Sequence, residues 1–260
     1  MVIPVSEHQD TVGPMARTVK DAAYILQIIA GIDHRDNYTR AIPNGVVPDY
    51  VSACKAGALS GMRLGIPRNV ISLFSDDTTD SMLESFGKAL DVCREAGATI
   101  VEDANFIAAV DFLNSTLPTS IVNADFLANI PEYFKLLTYN PFNIASVAGL
   151  RDFTQSFFME DYPDRDTGLF DQALQQGWNN KDLRFWPAFQ QNLYYGKEGG
   201  LLGALRRHDL DAVILPSNFG PHFAAALGSP IVSVPLGAYP AGTPIVKNSR
   251  GLVESAPNIP

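Results

Sequence analysis

Histidines and carboxylates are the side chains of this sequence that could move protons near neutral pH. The histidines are isolated from one another along the chain, so we expect them to be surface residues or satisfied core residues. The acidic run at 160–166 contains Pro163, a composition typical of an exposed connection between helices. Spacing therefore assigns no general acid or base, and we predict that most of the carboxylates are solvated. The candidates considered are His8, His208, His222, Asp103, Asp125, Glu160, Asp161, Asp164 and Asp166.

Motifs that commonly position a nucleophile or a phosphate do not occur in the 260 residues. GxSxG, GxGxxG and GxxxxGK[ST] are all missing. The glycines Gly199, Gly200 and Gly203 fall between helical stretches, and a turn explains them better than a phosphate cradle. Cys54 and Cys93 form no CxxC and have no histidine at ligand spacing. The sequence therefore predicts no disulfide framework, no metal site and no cofactor.

The composition predicts one globular domain over residues 1–260. Hydrophobic residues make up 46% of the sequence and charged residues 18%, which suits a chain that forms a core. The formal charge of -9 argues against a nucleic-acid partner, because phosphate backbones are bound by clustered Lys and Arg. No apolar stretch approaches the ~20 residues of a membrane helix, and residues 1–13 lack the pattern of a signal peptide. We expect a cytoplasmic protein, with any targeting segment upstream of Met1 out of view.

The elements that would position these side chains include both strands and helices. Apolar runs predict strands at 62–67 and 99–102, with a helix at 79–96 between them that ends at Gly97. Two more apolar runs, at 211–215 and 231–236, are typical of strands that are buried on both faces. Together these patterns predict an α/β fold with α/β/α layers around a mixed, mostly parallel sheet.

Two other stretches of the sequence predict helices. Residues 18–30 begin with a capping pattern at Thr18 and Asp21, and their apolar residues cover more than one face, so we expect this helix to be sandwiched between layers. Residues 105–203 predict mostly helices with many aromatic residues. Such a section either packs a core or walls a pocket for an apolar ligand, and we predict the core. The last twenty residues, rich in Pro, Gly and Asn, predict a loop.

Five segments of the sequence carry a recognisable pattern. They are QDTVGPMARTVKD at 9–21, MRLGIP at 62–67, GATI at 97–100, LDAVILPS at 210–217 and SPIVSVPLGAYPAGTP at 229–244. In this order they resemble the amidase-signature family of amide hydrolases, and the first is similar to the stretch that closes the family's signature region. The resemblance touches nearly the whole chain and is weakest over 105–203.

This resemblance implies a chemistry without metal or cofactor. Relatives cleave carboxamide C–N bonds with a serine nucleophile in a Gly-Gly-Ser motif, a second serine and a lysine that relays the proton. In the family all three precede the segment that resembles 9–21, and neither Gly-Gly-Ser nor Gly-Ser-Ser occurs here. The resemblance therefore implies an incomplete amidase-signature domain in which no residue is assigned a catalytic role.

The resemblance also implies positions for residues that are not catalytic. Four would lie behind the active site and fix the turn into the first helix: Asp10, Gly13, Pro14 and Arg17. The Gly-Pro pair by itself predicts a tight turn. Three would end a buried strand, where ligands of open α/β sheets bind, and are the predicted substrate-cleft residues: Leu215, Pro216 and Ser217.

Three interpretations of the function stay open. The chain is a truncated or degenerate amidase that is inactive alone, a non-catalytic binding or regulatory module derived from an amidase, or an enzyme that uses other residues. A small amide substrate is expected as a partner only if the missing region is supplied. Self-association through an uncovered apolar face is the other expected interaction.

Overall fold

The computed structural model describes residues 2–75, 79–217, 219–248 and 251–259, and its larger sheet has three parallel strands. Strand β1 (Arg63–Gly65) lies between β2 (Thr99–Val101) and β3 (Ala212–Val213). Leu64 of β1 is opposite Ile100 on one side and Ala212 on the other. The strands predicted at 62–67, 99–102 and 211–215 are thus confirmed in shorter form, and so is the α/β class.

Helices α3 (Arg68–Phe74) and α4 (Asp80–Glu95) lie between β1 and β2 in the chain, as a parallel pair requires. Helix α4 packs on β2 and buries Phe86 and Leu90. Gly97 follows it with a φ of 91°, a left-handed conformation that glycine adopts without strain. The predicted helix at 79–96 and its glycine stop are confirmed.

Residues 231–236 do not form the strand that their apolar run predicts. They carry no strand assignment, and Ile231, Val232 and Val234 are each more than half exposed. An apolar run becomes a buried strand only where a neighbouring strand takes its backbone hydrogen bonds and other layers cover its faces. Within the described ranges nothing pairs with this run, because the sheet ends at β2 and β3.

Helix α1 (Val19–Ile29) has the predicted position without the predicted burial. Thr18 caps it, since its hydroxyl oxygen accepts a hydrogen bond from the Asp21 N–H at 3.1 Å. Ala23 is buried, whereas Ile28 is 82% exposed. The neighbour of α1 is α2 (Tyr50–Ala53), a single turn that covers only part of its surface. The expectation of a sandwiched helix is therefore wrong for the described part of the chain.

The section after β2 is mostly helical, as predicted. Its helices are α5 (Ala109–Asn114), α6 (Leu117–Lys135), α7 (Val147–Ser156), α8 (Gly168–Gln176), α9 (Phe185–Gly196), α10 (Leu201–His208) and α11 (Pro221–Leu227). A short 3-10 turn occurs in this section at Phe158–Glu160, and two others precede β1 at Tyr38–Ala41 and Pro43–Gly45. Helix α6 packs against α8 and α9, α11 packs on α9, and α10 packs against β1 and β3, so α10 joins the helical layer to the sheet.

Aromatic side chains of this section divide between core and surface. Phe112 and Phe223 lie in the main core cluster with residues of α3 and α4. Phe185 is buried in a second cluster on α6 and α9. Phe158 and Trp186, in contrast, are mostly exposed. The prediction that the aromatics of 105–203 pack a core is right for Phe112 and Phe185 and wrong for Phe158 and Trp186, while Phe223 lies outside that section.

The end of the chain contains a small hairpin where a loop was predicted. Strand β4 (Val246–Lys247) pairs in antiparallel fashion with β5 (Val253–Ser255). The backbone N–H of Asn248 donates to the Leu252 carbonyl at 2.9 Å, which closes the hairpin.

Candidate functional site

The most buried charged group among the described residues is the carboxylate of Asp125, in the middle of α6. Its oxygens accept hydrogen bonds from the Ser6 hydroxyl at 2.6 Å and from the Asn180 side-chain amide at 2.9 Å. Nδ1 of His8 lies 2.9 and 3.0 Å from the two oxygens. We call Ser6, Glu7, His8, Asp125 and Asn180 the Asp125 cluster. Asp125 is therefore an exception to the expectation that most of the candidate carboxylates are solvated.

A turn near the start of the chain brings Ser6 and His8 to the same carboxylate. The Asp10 N–H donates to the Ser6 carbonyl at 2.8 Å, and the Asp10 carboxylate accepts from the Val5 N–H at 2.7 Å. Asn180 reaches the cluster from the loop after α8, where its own N–H donates to the Ala124 carbonyl. Its side-chain amide also donates to Glu7 at 2.6 Å. The cluster therefore ties three distant parts of the chain together.

The environment of His8 favours its protonated form. Burial by itself would lower the pKa of His8, but the hydrogen bond and the charge of Asp125, helped by the charge of Glu7, outweigh burial and raise that pKa above 6.5. The His8 ring packs against Phe185 and Phe189, with centroids 5.1 and 4.7 Å away. Its side chain is only 12% exposed. A protonated imidazole here is held as one half of a shielded ion pair.

The cluster does not have the geometry of a hydrolytic triad. In a serine-type triad the histidine stands between the serine hydroxyl and the carboxylate, so that it can take the hydroxyl proton. Here the carboxylate of Asp125 stands between Ser6 and His8 and accepts from both. Ser6 is also 1% exposed, so a substrate carbonyl cannot reach its oxygen. We interpret the cluster as a structural joint.

Three side chains of the Asp125 cluster carry atoms of the kind that ligate metal ions. Ligand atoms of Glu7, His8 and Asp125 lie within 4.8 Å of one another, a spacing that a metal ion could use. The Asp125 oxygens, however, already accept from three donors, and Glu7 accepts from Asn180. A metal would have to replace these hydrogen bonds, so hydrogen bonding accounts for the cluster without one.

A cleft of about 350 Å³ opens beside the turn, between the N-terminal segment and the helical layer. We call it the helical cleft. Its apolar wall, which comes mainly from α5, α6, α8 and α11, includes Phe112, Val122, Phe126, Leu169, Phe170 and Ala226. Its polar wall consists of Gln9, Thr119, Asn123, Gln172 and His222. No side chain in the lining carries a carboxylate, an ammonium or a guanidinium group.

Gln9 is the polar lining residue with an unmet hydrogen-bonding need. Its side-chain nitrogen is buried and has no hydrogen-bond partner among the described residues. Buried amide groups in proteins are nearly always paired, and among the described residues Asn129 and Asn192 also carry buried side-chain atoms without a hydrogen-bond partner. The segment at 9–21 contains Gln9, but no sequence pattern distinguished it from its neighbours.

The residues predicted behind the active site follow this turn. Asp10 closes the turn, as described above, whereas residues 11–16 carry no turn and Arg17 is exposed. The prediction of a tight turn at Gly13 and Pro14 is therefore wrong: the chain turns at 7–9 and is irregular from there to α1. The role of Asp10, Gly13, Pro14 and Arg17 behind an active site stays a prediction.

The predicted substrate-cleft residues lie in the segment that follows β3. Leu215 packs against the main core cluster, Pro216 is buried and Ser217 is exposed. None of the three lines the helical cleft. Their assignment to a substrate cleft stays a prediction.

Known proteins with similar sequences include two that are named putative amidases. A family model described as Amidase matches residues 1–257. A protein of Arthroderma benhamiae named "Putative amidase" is 53% identical over 259 residues, which are 100% of this chain and 43% of that protein. A Schizosaccharomyces pombe protein with the same type of name is 28% identical over 287 residues, covering 98% of this chain and 48% of its own length.

A solved structure shares the fold. The native peptide amidase of Stenotrophomonas maltophilia superposes with a TM-score of 0.73 at 26% identity, and the match covers 87% of this chain and 47% of that one. The chain thus spans about half the length of the proteins it matches.

Proposed function

Since this chain belongs to the amidase family, we propose that its 260 residues form the scaffold and one cleft wall of a carboxamide-hydrolysing unit and do not hydrolyse amides alone. Hydrolysis of an amide needs a nucleophile, a base that takes its proton and donors that stabilise the oxyanion. The described residues offer a cleft beside the Asp10 turn but no activated nucleophile. The attacking group would then come from residues other than these 260.

The observation that carries this proposal is the pairing of the serine hydroxyls. A serine becomes nucleophilic when a histidine or lysine nitrogen takes its proton. In the hydrogen bonds that the structure describes, no serine hydroxyl contacts such a nitrogen. Among the described residues, five serine hydroxyls donate hydrogen bonds, and each donates to a carboxylate or carbonyl oxygen. The donors are Ser6, Ser52, Ser75, Ser156 and Ser255.

The relatives support amide hydrolysis as the reaction class, and the lining of the cleft is compatible with it. The peptide amidase named above supports an amide C–N bond as the target. A cleft whose lining carries no carboxylate, ammonium or guanidinium group suits an uncharged carboxamide better than an ion, because burying an unpaired charge is costly. The alternative function is a non-catalytic module that binds amides with the same cleft wall. Such a module would bind an amide but would take no part in its hydrolysis.

The test is an activity and labelling assay on the 260-residue chain. The purified protein is incubated with primary amides and anilides, and separately with a fluorophosphonate probe that labels activated serines. We expect no turnover and no labelling, with Ser6→Ala indistinguishable from the unchanged protein. Stoichiometric labelling of one serine, with turnover lost when that serine is replaced, would overturn the proposal. A serine hydrolase of known activity, run in parallel, shows that the probe labels an activated serine under the same conditions.

We also propose that uncovered apolar surfaces drive self-association of the chain. Helix α1 and residues 231–236 present large apolar side chains to water, including Ile28 and Val232. Exposed apolar patches of this kind commonly mark interaction surfaces or aggregation sites.

A further inference from the structure

Four phenylalanine rings around α7 form a chain of contacts that we call the aromatic patch. They are Phe142 in the loop before α7, Phe153 in its last turn, and Phe157 and Phe158 at its end. The ring centroid of Phe153 lies 4.7 Å from that of Phe142 and 4.8 Å from that of Phe157. Phe157 in turn lies 5.4 Å from Phe158. Aromatic pairs prefer such spacings, so the four rings make one continuous surface.

Much of the aromatic patch is exposed to water. Phe158 is 85% exposed, Phe142 is 56% exposed, and Met159, the residue after Phe158, is 67% exposed. Phe153 and Phe157 are half-buried, and neither belongs to a core cluster of the described residues. Single exposed apolar side chains are ordinary, whereas contiguous ones commonly mark interaction sites. Phenylalanine and methionine are also enriched where proteins contact one another.

An acidic segment, which we call the acidic rim, follows the aromatic patch directly in the chain. Its residues 160–166 contain four carboxylates and one guanidinium, and four negative charges with one positive charge give a formal charge of -3. The guanidinium is that of Arg165, and it lies 3.7 Å from the carboxylate of Asp161 in an exposed ion pair. Arg151 of α7 is also paired, with Asp152 at 2.7 Å. Both guanidinium groups thus have a carboxylate partner, and the acidic rim stays negative.

An apolar surface beside a negative rim favours one kind of occupant over others. A second copy that docked through the same face would bring two negative rims together, and each whole chain carries a formal charge of -9. Membranes that contain anionic lipids attract segments rich in Lys and Arg and would repel this rim. A polypeptide segment with an apolar anchor and flanking Lys or Arg, in contrast, matches both features. Opposite charges across an interface steer association and fix the register of the partners.

We propose that the aromatic patch is a docking surface for a segment of another protein, in which an aromatic or large aliphatic anchor is flanked by Lys or Arg. The anchor packs on Phe158 and Met159, and the basic side chains face Asp161 and Asp164. This interaction goes beyond the proposed function, because none of these residues lines the helical cleft. Presence or absence of amide hydrolysis therefore leaves it unaffected.

Fluorescence anisotropy with three labelled peptides tests the interaction on the 260-residue chain. The first peptide is Lys-Arg-Trp-Leu-Lys-Arg, the second has Glu at the four basic positions, and the third has Ser in place of Trp and Leu. We expect the first to bind at least about tenfold more tightly than either of the others, because it alone has both the anchor and the matching charge. Equal binding of the first and third peptides, or no binding of the first at millimolar concentration, would overturn the proposal.

A variant of the aromatic patch and a matched control locate the bound peptide. Phe158→Ser removes a mostly exposed side chain, so we expect the chain to stay folded and to bind the first peptide about tenfold less tightly. Val92→Ser alters an exposed apolar side chain of α4, on the sheet side of the fold, and should leave the affinity unchanged. Thermal melts confirm that both variants are folded. Equal affinities of the two variants would show that the aromatic patch is not the site.

The acidic rim is tested in the same way. Asp161→Asn together with Asp164→Asn should weaken binding of the first peptide and flatten its dependence on salt concentration, because two rim charges are removed. Glu95→Gln together with Asp111→Asn removes two exposed carboxylates outside the rim and should change neither property. If both double variants keep the affinity and salt dependence of the unchanged chain, the charge match is wrong and the proposal fails.

A neutral lipid surface is the competing occupant of the aromatic patch. Sedimentation of the 260-residue chain with phosphatidylcholine vesicles separates the two, because these vesicles carry no net charge and take up exposed apolar side chains at their surface. We expect the chain to stay in the supernatant. Sedimentation that is lost in Phe158→Ser, together with no binding of the first peptide, would identify a membrane as the occupant and overturn the proposal.

Discussion

Nδ1 of His8 lies 2.9 Å from a carboxylate oxygen of Asp125, although 117 residues separate the two along the chain. The contact fixes the N-terminal segment to α6, and Gln9, the next residue, lines the helical cleft. The shape of the cleft therefore depends on the position of the N-terminal segment, which has no helix or strand and is held in place by the His8–Asp125 pair.

The His8–Asp125 pair predicts a fall in stability as the pH rises. Because the pKa of His8 is raised in the folded chain, its contribution to stability is fully present below 6.5, the unfolded value, and is lost as the pH rises through the folded pKa. The carboxylates facing His8 are Asp125 and Glu7. Urea unfolding at a series of pH values should show this loss as a downward slope of the unfolding free energy against pH. His8→Gln should remove that slope. His34→Gln, on a largely exposed ring, is the control and should keep the slope. An unchanged slope in His8→Gln would refute the assignment.

Removing the central carboxylate should cost more stability than deprotonating His8. Asp125→Ala leaves the Ser6 hydroxyl, the His8 imidazole and the Asn180 amide without their acceptor, and breaking a buried ion pair typically costs about 3–5 kcal/mol. Asp164→Ala, at an exposed loop position, should change the unfolding free energy by less than ~0.5 kcal/mol. Both changes in the unfolding free energy would be measured from denaturant unfolding curves. A loss below ~1 kcal/mol in Asp125→Ala would mean that the cluster contributes little.

The local parts of the fold were predictable from the sequence. The helix at 79–96 has apolar periodicity and a glycine stop, and both depend on neighbours within a few residues. The run at 231–236 has the composition of a buried strand, but a strand also requires a partner, which no local pattern specifies. The same limit explains α1, because apolar faces predict burial only where another element covers them.

The candidate site was harder to predict than the elements around it. His8 and Asp125 were both recognised as titratable groups, yet their contact spans 117 residues and has no spacing signature. Asp125 lies between apolar residues of α6 such as Ala124 and Phe126, a weak hint of burial that composition alone does not convert into a partner. The need of Gln9 for an acceptor arises only from tertiary packing.

Gly200 should tolerate no side chain, because the connection between α9 and α10 folds tightly against itself. A Cβ at this position would lie 1.9 Å from the Tyr195 carbonyl oxygen. This close approach agrees with the predicted turn at Gly199 and Gly200, whereas the prediction is wrong for Gly203, which lies within α10. We expect Gly200→Ala to lower the unfolding free energy by roughly 1–3 kcal/mol through overpacking. Gly13→Ala, whose Cβ would meet nothing within 4 Å, is the matched control and should be nearly neutral. Equal thermal midpoints for the two variants would contradict the geometry.

Exposed apolar side chains on α1 and on residues 231–236 should make the 260-residue chain associate with itself. Ile28 is 82% and Val232 is 72% exposed, and covering each such side chain in a contact is worth about 1.5–3 kcal/mol. Size-exclusion chromatography with light scattering should therefore show dimers or larger species at micromolar concentration. The double variant Ile28→Glu with Val232→Glu should shift the chain to monomer, since a carboxylate cannot be buried in an apolar contact without a partner. Leu183→Glu, at a leucine that is 95% exposed but outside both surfaces, controls for the added charge and should leave the association intact. A monomeric unchanged chain that melts cooperatively above ~60 °C would show that these surfaces need no cover, and it would favour the independent binding module over the incomplete hydrolase.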